Sequence, residues 1–251
     1  MLIDTHCHLD FTEFTRDFKE TLVRARSVGV QKFVIPGVEL SNSRAAVALA
    51  EKFDGVFAAV GVHPHAADSV DERTLNELEK LAASQKVVAV GEIGLDFFRM
   101  KNSPEIQKNA FRQQLELAQK LNLPVIIHSR AADSEILETL DEFKVRGVFH
   151  CFGSDWDFAE KVLARGFFIG LTGIVTFPNA KDLHEVAKKI SLEKLLIETD
   201  APFLAPQKFR GQRNEPAFVR EVAEIIAKLR GISVEEVAKQ TTENAEELFQ
   251  I

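Results

Sequence analysis

The chain has 251 residues, 45% of them hydrophobic and 27% charged, which is ordinary for a water-soluble globular protein and enough for one large core. A formal net charge of −7 argues against a surface that coats duplex nucleic acid through its phosphates; it leaves room for a cleft that admits one strand end beside bound cations. No apolar run nears the roughly 20 residues of a membrane span, no leader-like segment precedes Leu2, and two cysteines are too few for a disulfide framework, so the default expectation is a cytoplasmic protein with no membrane association.

Short apolar runs alternate with helical patterns along the chain. Leu2–Thr5 precedes a helix over Asp17–Ser27, and Lys32–Pro36 precedes Ser41–Lys52, with Ser41 as a plausible cap. Val56–Gly61 precedes Asp71–Ala83, where Leu75, Leu78 and Leu81 recur at helical spacing. Val87–Gly91 precedes Pro104–Leu121, which Ser103-Pro104 opens as cap and first-turn proline. Pro124–Ile127, Val145–Phe149 and Phe167–Gly170 precede helices over Ala131–Phe143, Asp155–Arg165 and Ala180–Ile190. Leu195–Glu198 is followed by Pro216–Arg230, a stop at Gly231, and Ser233–Phe249, whose Ser233 and Glu236 fit a capping box. Continuous rather than alternating apolar strands are those buried on both faces of a parallel sheet. The pattern predicts an α/β protein, a (β/α)8 TIM barrel, as a single domain over 1–251 with an extra C-terminal helix. An open doubly wound sheet is the alternative, disfavoured because no glycine-rich phosphate loop follows any strand.

Histidines gather where these strands end. His6 and His8 follow the first strand two residues apart, so an extended backbone projects both imidazoles to one side and Cys7 to the other. They can share a metal ion or be unrelated polar residues; Cys7 reads as a buried structural thiol. His63 and His65 follow the third strand, Glu92 the fourth, His128 the fifth and His150 the sixth. Only His184 falls inside a helix, as a surface residue. A carboxylate such as Glu92 at the end of an apolar strand is costly to bury unless paired or bound to metal. Glu198 and Asp200 end the last strand two residues apart, and spacing does not choose between them. In a barrel all these ends meet at one mouth, where active sites lie. Four histidines and two carboxylates exceed the needs of one tetrahedral ion and suggest two divalent metal ions, with Mg, Mn, Zn, Fe, Co or Ni all compatible. The absence of tyrosine removes that side chain from any mechanism.

In combination the motifs resemble the TatD-like DNases, within the wider amidohydrolase-type metal-dependent hydrolases. The resemblance runs from Ile3-Asp-Thr-His-Cys-His8 through Gly61-Val-His-Pro-His65, Gly91-Glu-Ile-Gly-Leu-Asp96, Ile127-His-Ser-Arg130 and His150-Cys-Phe-Gly153. It continues through Gly170-Leu-Thr-Gly-Ile-Val-Thr-Phe177, Glu198-Thr-Asp-Ala-Pro202, Arg210-Gly-Gln-Arg-Asn-Glu-Pro216 and Thr242-Glu-Asn-Ala245. It implies a barrel with two divalent ions: His6, His8 and Asp200 on one, His128 and His150 on the other, and Glu92 bridging. It also implies metal-dependent nuclease activity, including 3′ exonuclease action on DNA, with single-stranded or end-accessible DNA as substrate; related members deacylate aminoacyl-tRNA. Two departures stand out: Phe97 replaces a frequent tyrosine, and the segment at His150-Cys-Phe-Gly153 lacks a usual extra serine or threonine.

On this reading Asp200 orients or deprotonates the attacking water, and His63 contacts the scissile phosphate or donates to the leaving oxygen. Its alternative is a loop residue held by Pro64. Arg130 and Arg213 are candidates for nucleotide phosphates or for plain salt bridges. Asp4 and Asp96 can orient ligand histidines or serve as buried hydrogen-bond acceptors.

Overall fold

The computed structural model describes residues 1–251. Its strands are β1 (Leu2–Asp4), β2 (Val30–Ile35), β3 (Val56–Val60), β4 (Val87–Asp96), β5 (Val125–Arg130), β6 (Gly147–Phe149), β7 (Phe168–Leu171) and β8 (Leu195–Ile197). They follow one another in chain order in one eight-stranded sheet. The connecting helices are α1 (Phe18–Ser27), α2 (Leu40–Lys52), α3 (Glu72–Leu81), α4 (Pro104–Leu121), α5 (Asp133–Leu140), α6 (Trp156–Ala164) and α7 (Lys181–Lys189); α8 (Val219–Arg230) and the extra α9 (Val234–Phe249) end the chain. This is the (β/α)8 architecture. Two compact units make it up, Met1–Ile35 with Cys151–Ile251, and Pro36–His150.

In the first unit β1 pairs parallel with β2, and β7 with β8. The regular ladder of β1 stops at Asp4, yet the chain stays extended. Cys7 N–H donates to the Val34 carbonyl at 3.1 Å, His8 N–H to Ala201 at 2.7 Å, and Asp200 N–H to His6 at 2.9 Å. Backbone bonds to either side thus fix the segment carrying both histidines. The Cys7 thiol is fully buried against the Val34 carbonyl, as the alternation rule requires. Ser233 caps α9 through Glu236 N–H, and Gly231, in the left-handed region at φ 68°, closes α8.

In the second unit β3 to β6 run parallel. β4 differs from expectation: it continues five residues past Gly91, and all ten of its residues are buried. Gly91 and Gly94 let it pass close to β5. A side chain on Gly94, at φ 142°, would collide with the His128 carbonyl oxygen. β5 likewise runs on to Arg130, so Gly94 pairs with His128 and Asp96 with Arg130. Helix α2 starts at Leu40 with no side-chain cap, so Ser41 lies inside its first turn.

Candidate metal centre

In the first unit three donors converge. His6 Nε2 and His8 Nε2 lie 3.3 Å apart. Asp200 Oδ1 is 3.3 Å from His8 Nε2 and 3.7 Å from His6 Nε2. His8 stacks on Phe11 at 4.7 Å between ring centroids, which holds its ring plane. Asp200 sits in the left-handed region at φ 57°, a conformation that costs a non-glycine residue about 1 kcal/mol or more and collects at functional sites. Glu198 is fully buried and accepts the Cys151 N–H and, at 3.3 Å, the Thr5 hydroxyl. Asp4 accepts from Thr199 N–H and, at 2.6 Å, from its hydroxyl, so it pins the chain just before Asp200 rather than orienting a ring. Burial pushes the Asp4 carboxyl up to about 7 despite those bonds.

In the second unit one carboxylate is ringed by imidazoles. Glu92 Oε1 lies 2.7 Å from His150 Nε2, 2.8 Å from His128 Nδ1 and 3.4 Å from His63 Nε2. Burial alone would raise the Glu92 pKa, but the neighbouring imidazoles of His150 and His63, with hydrogen bonds from His128 and His150, hold it well below the usual carboxylate range. Asp96 stands behind this cluster. Its Oδ2 is 2.9 Å from His65 Nε2 and 3.4 Å from His128 Nε2, so the His128 ring lies between two carboxylates. Such a carboxylate–histidine pair orients the ring toward a metal.

His63 has a defined tautomer. Its Nδ1 accepts the His65 backbone N–H at 3.0 Å, so a neutral ring carries its proton on Nε2, facing Glu92. Burial drives its pKa down to about 4, so the ring is neutral near pH 7. Because its Nδ1 already accepts a backbone N–H, the His63 proton cannot move off Nε2, whereas His128 can carry its proton on Nε2 toward Asp96 and free Nδ1 for a cation. His63, Glu92 and His128 are close enough together to chelate one ion, but this tautomer leaves His63 as a donor.

The donor sets fit divalent cations. Metal–nitrogen bonds of about 2.0–2.1 Å in a tetrahedron set ligand–ligand edges near 3.3 Å. The ring nitrogens of His6 and His8, at 3.3 Å, and of His128 and His150, at 3.4 Å, match that spacing. Nitrogen and carboxylate oxygen donors without thiolate suit Zn, Mn, Co, Ni or Mg.

Other candidates fall away from these clusters. Arg213 makes a bidentate pair with Asp17 at 2.7 and 2.8 Å, the salt-bridge alternative. His184 is half-buried rather than on the surface, donating to the Val175 carbonyl at 2.9 Å. Arg130 is exposed and covers the Phe98 ring, with its guanidinium carbon 4.2 Å from the centroid. The links Asp96–His65 and Glu198–Cys151 were not anticipated; the only available signal was an acid in an otherwise apolar strand.

A parallel eight-stranded barrel carrying histidines and carboxylates where its strands end is the architecture of a metal-dependent hydrolase. Residues 3–250 match the family model for TatD related DNase, and the chain belongs to that family. It is 42% identical to the uncharacterized metal-dependent hydrolase YabD of Bacillus subtilis over all of both chains. It is 38% identical to the 3′-5′ ssDNA/RNA exonuclease TatD of Erwinia tasmaniensis, again over all of both. The crystal structure of the TatD homologue YjjV of Escherichia coli superposes with a TM-score of 0.92 at 35% identity, covering 100% of this chain and 98% of that one. No helix is long and apolar enough to cross a membrane.

Proposed function

We propose that the chain is a cytoplasmic deoxyribonuclease, one catalytic domain over 1–251, that hydrolyses phosphodiesters from the 3′ end of single-stranded or end-accessible DNA. The observation that carries this reading is the buried Glu92 carboxylate, kept ionised among three imidazoles, in a chain that shares full-length similarity with a named exonuclease. His6, His8 and Asp200 would hold one divalent ion and His128 and His150 the other, with Glu92 shared, as the family resemblance implies. When bound, such ions lower the pKa of water and neutralise charge on the phosphoryl oxygens.

The chain's own residues supply the rest. Asp200, the most accessible carboxylate of the set at 14% side-chain exposure, accepts a proton from the attacking water. His63, neutral near pH 7, offers its Nε2–H as a hydrogen bond to the charge developing on the departing oxygen, and the proton that oxygen takes up comes from solvent. Asp96 keeps the His128 ring in register through Nε2.

Dialysis against chelator should abolish hydrolysis of a single-stranded oligonucleotide, and Mg, Mn or Co should restore it. Activity that persists in protein shown metal-free by elemental analysis would sink the reading. A metal-restored protein that cleaves aminoacyl-tRNA but no phosphodiester would replace the nuclease with an acyl hydrolase.

A further inference from the structure

Of 20 phenylalanines, only Phe98 and Phe203 are large exposed hydrophobics, and Phe98 is 67% exposed. Apolar side chains tend to leave water, but Phe98 is held out by its backbone. Asp96 Oδ1 accepts the N–H of Phe98 at 3.0 Å and of Arg99 at 2.7 Å, while Phe97 N–H donates to the Arg130 carbonyl at 2.9 Å. The turn is therefore clamped to the residue that also faces His65 and His128. Arg130 ends β5 two residues beyond His128, so along an extended strand it lies about 6.6 Å further out on the same side. Its guanidinium lies over one face of the Phe98 ring, and the residue remains largely exposed.

The segment that carries this ring departs in charge from the whole molecule. The net charge is −7, yet no acid occurs between Asp96 and Glu105, a stretch that holds Arg99 and Lys101. Lys108, on α4, places its ammonium 5.9 Å from the Phe97 ring centre. Arg99, Met100, Lys101 and Arg130 are all exposed. Aromatic faces interleaved with cations are what an unpaired strand needs: every base has a π-face to stack, and each linkage carries one negative charge.

We propose that Phe98 and Arg130 form a base-stacking platform for single-stranded nucleic acid, the ring stacking one unpaired base and the guanidinium meeting the neighbouring phosphate. This deepens the nuclease reading and rests on it for the substrate. Phe98 is a specificity determinant that selects unpaired bases without reading their identity.

The test uses the metal-loaded protein and two fluorescein-labelled strands of equal length, oligothymidylate and its abasic counterpart, blocked against cleavage by phosphorothioates for binding by anisotropy. The wild type should prefer the base-bearing strand; Phe98→Ala should weaken that binding about tenfold and move the abasic strand much less, and Phe98→Trp should keep it within about threefold. Phe98→Ala binding both strands like the wild type, an equal loss on both strands, or a wild type with no preference for bases would each overturn the platform. Unblocked strands read the nuclease reading separately. A wild type that prefers bases but cleaves neither strand keeps the platform and overturns the nuclease; one that cleaves while Phe98→Ala binds normally overturns only the platform.

Discussion

The His6–His8–Asp200 cluster and the Glu92 cluster balance their charge in different ways. In the first, two imidazoles face one partly accessible carboxylate at 3.3 and 3.7 Å, and the surrounding contacts are backbone bonds that fix position. In the second, three imidazoles surround one buried carboxylate, and a further carboxylate, Asp96, stands behind them. The first therefore depends on backbone geometry and the second on a charge network. Substitutions should damage the second through electrostatics and metal affinity, and the first through the loss of a single donor.

Removing Glu92 should break the comparison most severely. Glu92→Ala should lower kcat/KM on a single-stranded oligonucleotide about a thousandfold and reduce the metal bound per chain by elemental analysis; full metal content would show that Glu92 is no ligand. His63→Gln separates donor from ligand within the same cluster. It should cost about a hundredfold in kcat with metal content preserved, whereas a drop in bound metal would place His63 among the ligands. Asp96→Asn keeps the shape and removes the charge behind His128. We expect about tenfold weaker metal binding by competition with a chelator, and no change would leave Asp96 as a mere turn former.

The smallest effect lies outside both clusters. Asp17 is held well below the usual carboxylate range, first by hydrogen bonds from Arg213 and then by one from Arg24. A carboxylate depressed in the folded state contributes stability above its unfolded pKa and loses it as pH falls toward the folded one. The contribution is present at neutral pH and fades below about pH 4. Because Asp17 is partly exposed, solvent screening limits it to about 1 kcal/mol. Asp17→Asn should be less stable at neutral pH by about that amount and lose correspondingly less on acidification, measured by urea melts. An unchanged acid profile would show that the pair contributes nothing.

How far the sequence carries depends on whether a feature is local. The alternation of strand and helix, the caps at Ser103 and Ser233, and the placing of His6, His8, His128 and His150 at strand ends follow from periodicity and neighbouring residue types. The ordered motifs identified the family from sequence alone. The length of β4 was not legible, because glycine signals a break unless the neighbouring strand is known to approach closely. Nor did spacing separate Asp200 from Glu198; the resemblance chose Asp200. In the fold Asp200 adopts a left-handed backbone and turns toward His8, and Glu198 accepts the N–H of Cys151. Arg130 and Arg213 looked alike as cations, yet one covers an exposed phenylalanine and the other is locked to Asp17. The sequence by itself determined which chemical groups are present and at which strand ends. Only the tertiary structure decided which of them face one another, because side-chain direction and charge balance are set by contacts between residues far apart in the chain.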